Sequence, residues 1–121
     1  DGVAEFTTIY PGWYTGRTVH IHMKVHIDGE AMDADTYDGG HVSHTGQLFF
    51  DDAISDEVYG AYEAYAGRDE SQRTRNDQDN ILGNHLDEPG FLVSLSPLDE
   101  HDPSQGYLGV ITIGVDPSAS A

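Results

Sequence analysis

Alternation of polar and apolar residues is clearest between Arg17 and Asp28. Valine, isoleucine and methionine occupy every second position there, and threonine, histidine and lysine occupy the positions between them. A repeat of two residues is typical of a strand with one apolar face. The segment therefore predicts a β-strand that carries His20, His22 and His26 on its polar face.

Shorter apolar runs predict the other elements of the fold. Further strands are expected over residues 4–9, 44–50, 91–96 and 107–115. One short helix is expected from an N-cap at Ser55 to Tyr62 or Tyr65. The glycine- and aspartate-rich stretch 28–44 and the polar stretch 67–83 are expected to be loops.

These elements predict an all-β fold, a β-sandwich with one short helix and long loops. The length of 121 residues suits one domain over residues 1–116, followed by a frayed Ser- and Ala-rich tail at 117–121. About five strands make a thin sandwich, so part of the sheet is expected upstream of residue 1. No apolar run approaches the roughly 20 residues that a transmembrane helix needs.

Acidic residues dominate the charge of the chain. The 22 Asp and Glu residues against 5 Lys and Arg residues give a net charge of −17, and Lys24 is the only lysine. Nucleic acid and anionic membrane surfaces are excluded as partners, because both require clustered positive charge. Salt screens the self-repulsion of such a surface, so the composition favours a halophilic protein, either in a high-salt cytoplasm or exported to a saline exterior. The alternative is an ordinary acidic protein.

Two histidines on the predicted strand are candidate metal ligands. His20 and His22 point to the same side, with Cα atoms about 7 Å apart. Two imidazoles at that spacing can bind one ion, although a polar strand face is the commoner reason for the pattern. Tyr14 lies six residues before His20, after a turn at Pro11 and Gly12. A phenolate is a hard anionic ligand that suits ferric iron, and thiolate sites are excluded because cysteine is absent.

The run Pro-Gly-Trp-Tyr-Thr-Gly-Arg-Thr-Val-His-Ile-His, from residue 11 to residue 22, resembles the iron-binding segment of the intradiol ring-cleavage dioxygenases. This family includes protocatechuate 3,4-dioxygenase and catechol 1,2-dioxygenase. The resemblance implies that Tyr14, His20 and His22 are iron ligands, that Tyr14 also acts as a base, and that Arg17 lies beside the substrate. In the run 45–50, which resembles the following strand, it places Gln47 near the substrate.

The activity implied by the resemblance is that of a non-haem Fe(III) dioxygenase. Such an enzyme cleaves a catechol between its two hydroxyls with O2 and produces a muconate-type diacid. The family's site has a further tyrosine ligand upstream of the motif, so residues 1–116 resemble the C-terminal part of the catalytic β-sandwich. Three alternatives follow: an upstream segment supplies the missing ligand, a second chain supplies it, or the site is incomplete. A homo-oligomer also stays open.

Two other functions stay open. One is a β-sandwich that binds metal without catalysis. The other is a carbohydrate-binding module that uses Tyr10, Trp13 and Tyr14 as a stacking platform, which leaves the His-x-His pair without a purpose. A ferrous centre of two histidines and a carboxylate has no acidic residue in the motif to support it.

Arg17 needs a particular backbone to reach the histidines. It lies three residues before His20, and this odd spacing turns it to the opposite face of a regular strand. A functional Arg17 therefore requires a bend or bulge near Thr18, with Gly16 supplying the conformational freedom. Other conspicuous residues are expected to be structural: Trp13, Phe49 and Phe50 in the core, and Asp51, Asp52 and the acidic clusters 33–35 and 99–100 as solvated charge.

Overall fold

Strands and loops make up most of the computed structural model, which describes residues 2–33 and 36–121. In chain order the elements are β1 (His20–Ala31), β2 (Tyr37–Phe49), α1 (Asp52–Ala61), β3 (Ser94–Pro97) and β4 (Tyr107–Val110). The described strands form two antiparallel sheets of two strands each, β1–β2 and β3–β4. Short 3-10 turns fill the long connections. The predicted all-β fold with one short helix and long loops is confirmed.

The β1–β2 hairpin is longer than the alternating pattern predicts. The predicted loop over 28–44 is wrong for most of its length, because Gly29 pairs with Gly39 and Glu30 with Asp38 across the hairpin. Backbone pairing with a neighbouring strand overrides the weak strand propensity of glycine and aspartate. Gly40 permits this approach, since a Cβ atom there would lie 2.1 Å from the carbonyl oxygen of Ile27. Residues 34 and 35 of the predicted acidic cluster lie outside the described residues.

Phe49 connects the two sheets. Its backbone N–H donates to Phe91 O at 2.8 Å, and its carbonyl accepts from Val93 N at 2.9 Å. The last two strands pair with each other and cover less of the chain than expected: β3 begins at Ser94 and β4 ends at Val110. The described part of 4–9 forms no strand, contrary to the prediction. A strand needs a partner for its backbone groups, and this segment instead leaves Phe6 84% exposed.

Helix α1 begins one turn earlier than predicted. Asp51 is its N-cap, and the Asp51 side chain accepts from Ala53 N at 2.8 Å. Ser55 is therefore not the cap: it lies inside the helix, is fully buried, and its Oγ lies 2.6 Å from the hydroxyl of Tyr10. Asp52 is not merely solvated either, because its carboxylate accepts from Asn76 N at 3.1 Å. Aspartate and serine cap equally well, so composition alone does not choose between them.

The core lies where α1 packs against the segment before β1 and the end of β2. Its members share near-complete burial: Trp13, Val19, Phe50, Val58 and Tyr59. Phe49 and Leu82 are also fully buried. The predicted core positions of Trp13, Phe49 and Phe50 are confirmed. This core anchors the chain at Trp13, immediately before Tyr14, and at Val19, immediately before His20.

In the described part of the chain, no helix combines the length and apolarity needed to span a bilayer.

Several acidic groups pair with arginines: Arg73 is buried and donates to Glu70 at 3.0 Å, and Arg75 donates to Asp56 at 2.6 Å. The stabilisation by salt that the net charge implies stays a prediction.

Candidate metal centre

The chain turns sharply just before β1. Tyr14 and Arg17 form an isolated antiparallel bridge around a turn, and Gly16 has a positive φ of 101° there. The backbone bends again at Val19, and the strand begins only at His20. The bend that Arg17 requires is therefore present, at the position predicted from the odd spacing.

Three candidate ligands lie together at the end of this turn. The hydroxyl of Tyr14 is 3.4 Å from His20 Nε2, and the ring centroids of His20 and His22 are 4.9 Å apart. The side chains of Tyr14 and His22 are open to solvent, and His20 is half-buried. Donors bound to one ion at about 2 Å each lie roughly 3 Å apart. The Tyr14–His20 separation is close to that value without any rearrangement.

The ring of His20 is held in a defined tautomer. Its Nδ1 lies 2.7 Å from the carbonyl oxygen of Thr18. A carbonyl only accepts hydrogen bonds, so in the neutral imidazole Nδ1 carries the proton and Nε2 keeps its lone pair. That lone pair faces the hydroxyl of Tyr14. A second hydrogen bond of this kind is typical of metal-binding histidines, because it orients the ring and raises its basicity.

Arg17 and Gln47 border the same cluster. Gln47 lies opposite His22 in the β1–β2 register, and its Oε1 accepts from Arg17 Nη2 at 2.6 Å. Arg17 Nε donates to Asp79 Oδ1 at 2.8 Å. That hydrogen bond is the main reason why the pKa of Arg17 is raised above its usual value, and the Tyr14 phenol adds to it. The structure thus brings all five residues predicted from the sequence into one region, and it adds Asp79.

The sequence did not predict that Asp79 bonds to Arg17 in this region. Asp79 is separated from Arg17 by 62 positions and lies in a polar stretch without periodicity. No local signal in this stretch assigns Asp79 to the centre.

The donor set fits a hard trivalent cation. Among residues 2–33 and 36–121, no group of three His, Asp or Glu side chains could hold a metal ion. The phenol oxygen of Tyr14 therefore has to join His20 and His22 if a centre forms here. A phenolate with two imidazoles suits ferric iron. His26 is not part of this set: it lies beyond the bulge in β1, with its ring 5.5 Å from that of Tyr37.

The carbohydrate platform is not present. Trp13 is only 4% exposed, and Tyr10 packs edge-on against Tyr59 in the core. Burial raises the pKa of Tyr10 to about 12. A stacking platform needs exposed ring faces, and of the three aromatic residues only Tyr14 is largely exposed, at 52%. This alternative is therefore wrong.

A hollow of about 460 Å³ opens beside Gln47. Several of its lining residues come from β2 and from the loops that face it: Thr45, Gln47, Phe49, Ile81 and Phe91. Its volume lies within the range of small-ligand pockets, and its lining is mostly apolar with a few polar groups. Gln47 lines the hollow and also accepts a hydrogen bond from Arg17, so it connects the two.

Comparison with known proteins shows which fold this is. No protein-family model and no curated protein sequence matches the chain. An intradiol ring-cleavage dioxygenase from Tetranychus urticae has a TM-score of 0.65 over 93% of this chain, with 24% sequence identity. A second dioxygenase of known crystal structure has a TM-score of 0.67 over 93% of the chain, with 23% identity. The chain has an intradiol dioxygenase fold.

This finding confirms the fold that the motif implied. The chain spans 47% of the length of the first dioxygenase and 46% of the second. It therefore corresponds to about half of each.

Proposed function

We propose that this chain supplies Tyr14, His20 and His22 to a non-haem ferric centre that cleaves catechols between their two hydroxyls. The observation that carries the proposal is the approach of the Tyr14 hydroxyl to His20 Nε2 at 3.4 Å, with His22 alongside, within an intradiol dioxygenase fold. The twelve-residue motif matches in residue type, and the fold matches over most of the chain. Both point to the same chemistry.

Each residue has a distinct part in this reaction. When bound, ferric iron supplies the Lewis acidity that makes a catechol reactive towards O2. The substrate loses hydroxyl protons on binding, and the Tyr14 oxygen is placed to accept one of them as a general base. The fixed charge of Arg17 stabilises the negative charge that develops on the ring and its oxygens. Gln47 holds Arg17 in place through its Oε1.

The substrate proposed is a catechol-type aromatic ring together with O2, and the product is a muconate-type diacid. The hollow beside Gln47 has apolar walls at Phe49, Ile81 and Phe91 that suit an aromatic ring. Its polar wall at Gln47 lies on the side of Arg17. We propose that a ring held there packs against these apolar walls with its polar edge towards Gln47.

A second phenolate is part of the same proposal. The family to which the motif is similar uses two tyrosines, and the motif of this chain provides one of them, Tyr14. We propose that the other comes from a segment outside residues 1–121 or from a second copy of the chain. The coverage of about half of each dioxygenase supports this, because a chain that corresponds to half of a larger protein is expected to carry only some of that protein's ligands.

Product analysis tests the proposed reaction. The protein that includes the source of the second phenolate is loaded with iron and incubated with catechol and with protocatechuate under isotopically labelled O2, and products are identified by mass spectrometry. The expected product is a diacid that contains both labelled oxygen atoms. Tyr14→Phe should abolish its formation, whereas Tyr37→Phe, a change at another exposed tyrosine, should not. A semialdehyde product, or iron binding without O2 consumption, would contradict the proposal, and the latter outcome would favour the metal-binding alternative.

A further inference from the structure

Asp79 is a buried carboxylate at the edge of the candidate centre. Its side chain is 0% exposed. Oδ1 accepts hydrogen bonds from Arg17 Nε at 2.8 Å and from Thr18 N at 2.9 Å. Oδ2 accepts from Arg17 Nη2 at 3.3 Å and from the backbone N–H groups of Ile81 and Leu82, both at 3.0 Å. One carboxylate thus connects the start of the histidine strand to a loop far along the chain.

The hydrogen bonds keep this carboxylate ionised. Burial alone raises the pKa of Asp79, but the bonds from Arg17 and from three backbone N–H groups outweigh burial and hold the pKa well below its usual range. An anion with several fixed donors has little freedom to rotate. Asp79 therefore holds the groups that donate to it in fixed positions.

Asp79 holds two residues of the candidate centre, Arg17 and Thr18. Arg17 is held through Nε and Nη2, which fixes the plane of its guanidinium, and the same Nη2 reaches Gln47. Thr18 is held through its backbone N–H, and the carbonyl of this same residue accepts from His20 Nδ1 at 2.7 Å. Asp79 thus bonds directly to Arg17, which carries the charge near the cluster, and to Thr18, which bonds to the ring of the candidate ligand His20.

We propose that Asp79 is a positioning residue that fixes the direction of the Arg17 guanidinium and, through Thr18, the tautomer of His20. It acts through these two neighbours rather than by touching the substrate. Its effect on turnover rests on the proposed function, whereas its effect on Arg17 and His20 belongs to the metal-free protein and is independent of it.

Nitrogen-15 NMR of the metal-free protein tests the two bonds directly. Asp79→Ala removes both acceptor oxygens. Hydrogen exchange at Arg17 Nε–H should become at least about tenfold faster, since a hydrogen bond to a charged group is lost. The imidazole nitrogen shifts of His20 should show a smaller share of the Nδ1–H tautomer.

Two control variants separate positioning from general loosening of the fold. Asp56→Ala removes the carboxylate that pairs with Arg73 and Arg75 elsewhere in the chain, and it should change neither signal. Arg17→Met should keep the His20 tautomer, because Asp79 then still accepts from Thr18 N. Unchanged Arg17 exchange and an unchanged His20 tautomer in folded Asp79→Ala would overturn the proposal.

The proposal stays testable if Asp79→Ala does not fold. Asp79→Asn keeps one acceptor oxygen and is the milder change, and the same two signals apply. In the unaltered protein, Arg17 Nε–H should exchange more slowly than that of Arg75, whose side chain is 41% exposed; equal rates would contradict the proposal.

Turnover adds a separate measurement. In the iron-loaded protein that includes the source of the second phenolate, Asp79→Asn should lower kcat about ten- to a hundredfold, with a smaller change in KM, because outer residues that orient active groups have effects of this size. If the unaltered protein shows no turnover, the proposed function fails while the NMR result still decides the part played by Asp79. If turnover is present and Asp79→Asn alters neither kcat nor the NMR signals, Asp79 has no positioning part.

Discussion

Replacing Arg17 with methionine should lower turnover by at least about a hundredfold, or about 3 kcal/mol of transition-state stabilisation, while iron and its colour are retained. The guanidinium lies beside the cluster and is not one of its donors, so its loss acts on the reacting charge more than on metal binding. The fold should survive the change, because Asp79 keeps its bonds to Thr18 N, Ile81 N and Leu82 N. The measurement is steady-state oxygen uptake with catechol, together with the visible spectrum.

Arg75→Met is the matched control for this variant. Arg75 carries the same charge but pairs with Asp52 and Asp56 beside α1. Its loss should leave turnover within about twofold of the parent, as expected for a surface ion pair. Catechol should still bind to Arg17→Met and shift the visible band. A variant that turns over at the parent rate would make Arg17 a surface residue, and one that loses iron would make its part structural.

Truncation of Phe49 to alanine should destabilise the fold by about 3–5 kcal/mol, the usual cost of removing a fully buried aromatic ring. Phe49 is 0% exposed, and its ring lies 6.1 Å from that of His20 and 6.4 Å from that of Phe91. The backbone bonds that join the two sheets at this residue remain in the variant, so the loss measures side-chain packing. Chemical denaturation with an unchanged slope is the readout.

Phe6→Ala provides the comparison for Phe49→Ala. Phe6 is 84% exposed, so the same chemical change should alter the free energy of unfolding by less than about 0.5 kcal/mol. Similar losses for the two variants would mean that Phe49 is not packed as the structure shows. Because Phe49 lies against His20, its truncation should also weaken iron binding, whereas Phe6→Ala should not.

Local patterns predicted the parts of the fold that depend on local chemistry. The period-two alternation identified β1, since a strand with one polar face repeats every two residues. The short spacing from Tyr14 to His20, after a turn at Pro11 and Gly12, made the two residues candidate ligands of one metal, and the structure brings their side chains together. The odd offset of Arg17 predicted a bend, because a regular strand cannot turn residues 17 and 20 to one face.

Other parts depend on tertiary contacts that local patterns do not contain. Residues 28–44 have the composition of a loop, yet cross-strand pairing extends the hairpin through Gly29 and Gly39. Residues 4–9 have strand propensity but pair with no strand in the part of the chain that the structure describes. Ser55 and Asp51 are equivalent caps by composition, and burial of Ser55 against Tyr10 distinguishes them. Asp79 reaches Arg17 across 62 positions, so only the folded chain shows that they meet.

Titration of the protein with ferric iron, followed by visible absorption, shows whether Tyr14, His20 and His22 bind the metal. One iron should bind per site, with the strong charge-transfer band of a tyrosinate–Fe(III) bond. Tyr14→Phe should remove the band contributed by this residue, and His22→Ala should weaken iron binding at least tenfold. The matched changes Tyr37→Phe and His26→Ala should leave both the band and the affinity unchanged. A full band in Tyr14→Phe, or equal iron affinity in His22→Ala and His26→Ala, would contradict the assignment of Tyr14, His20 and His22 as the ligands.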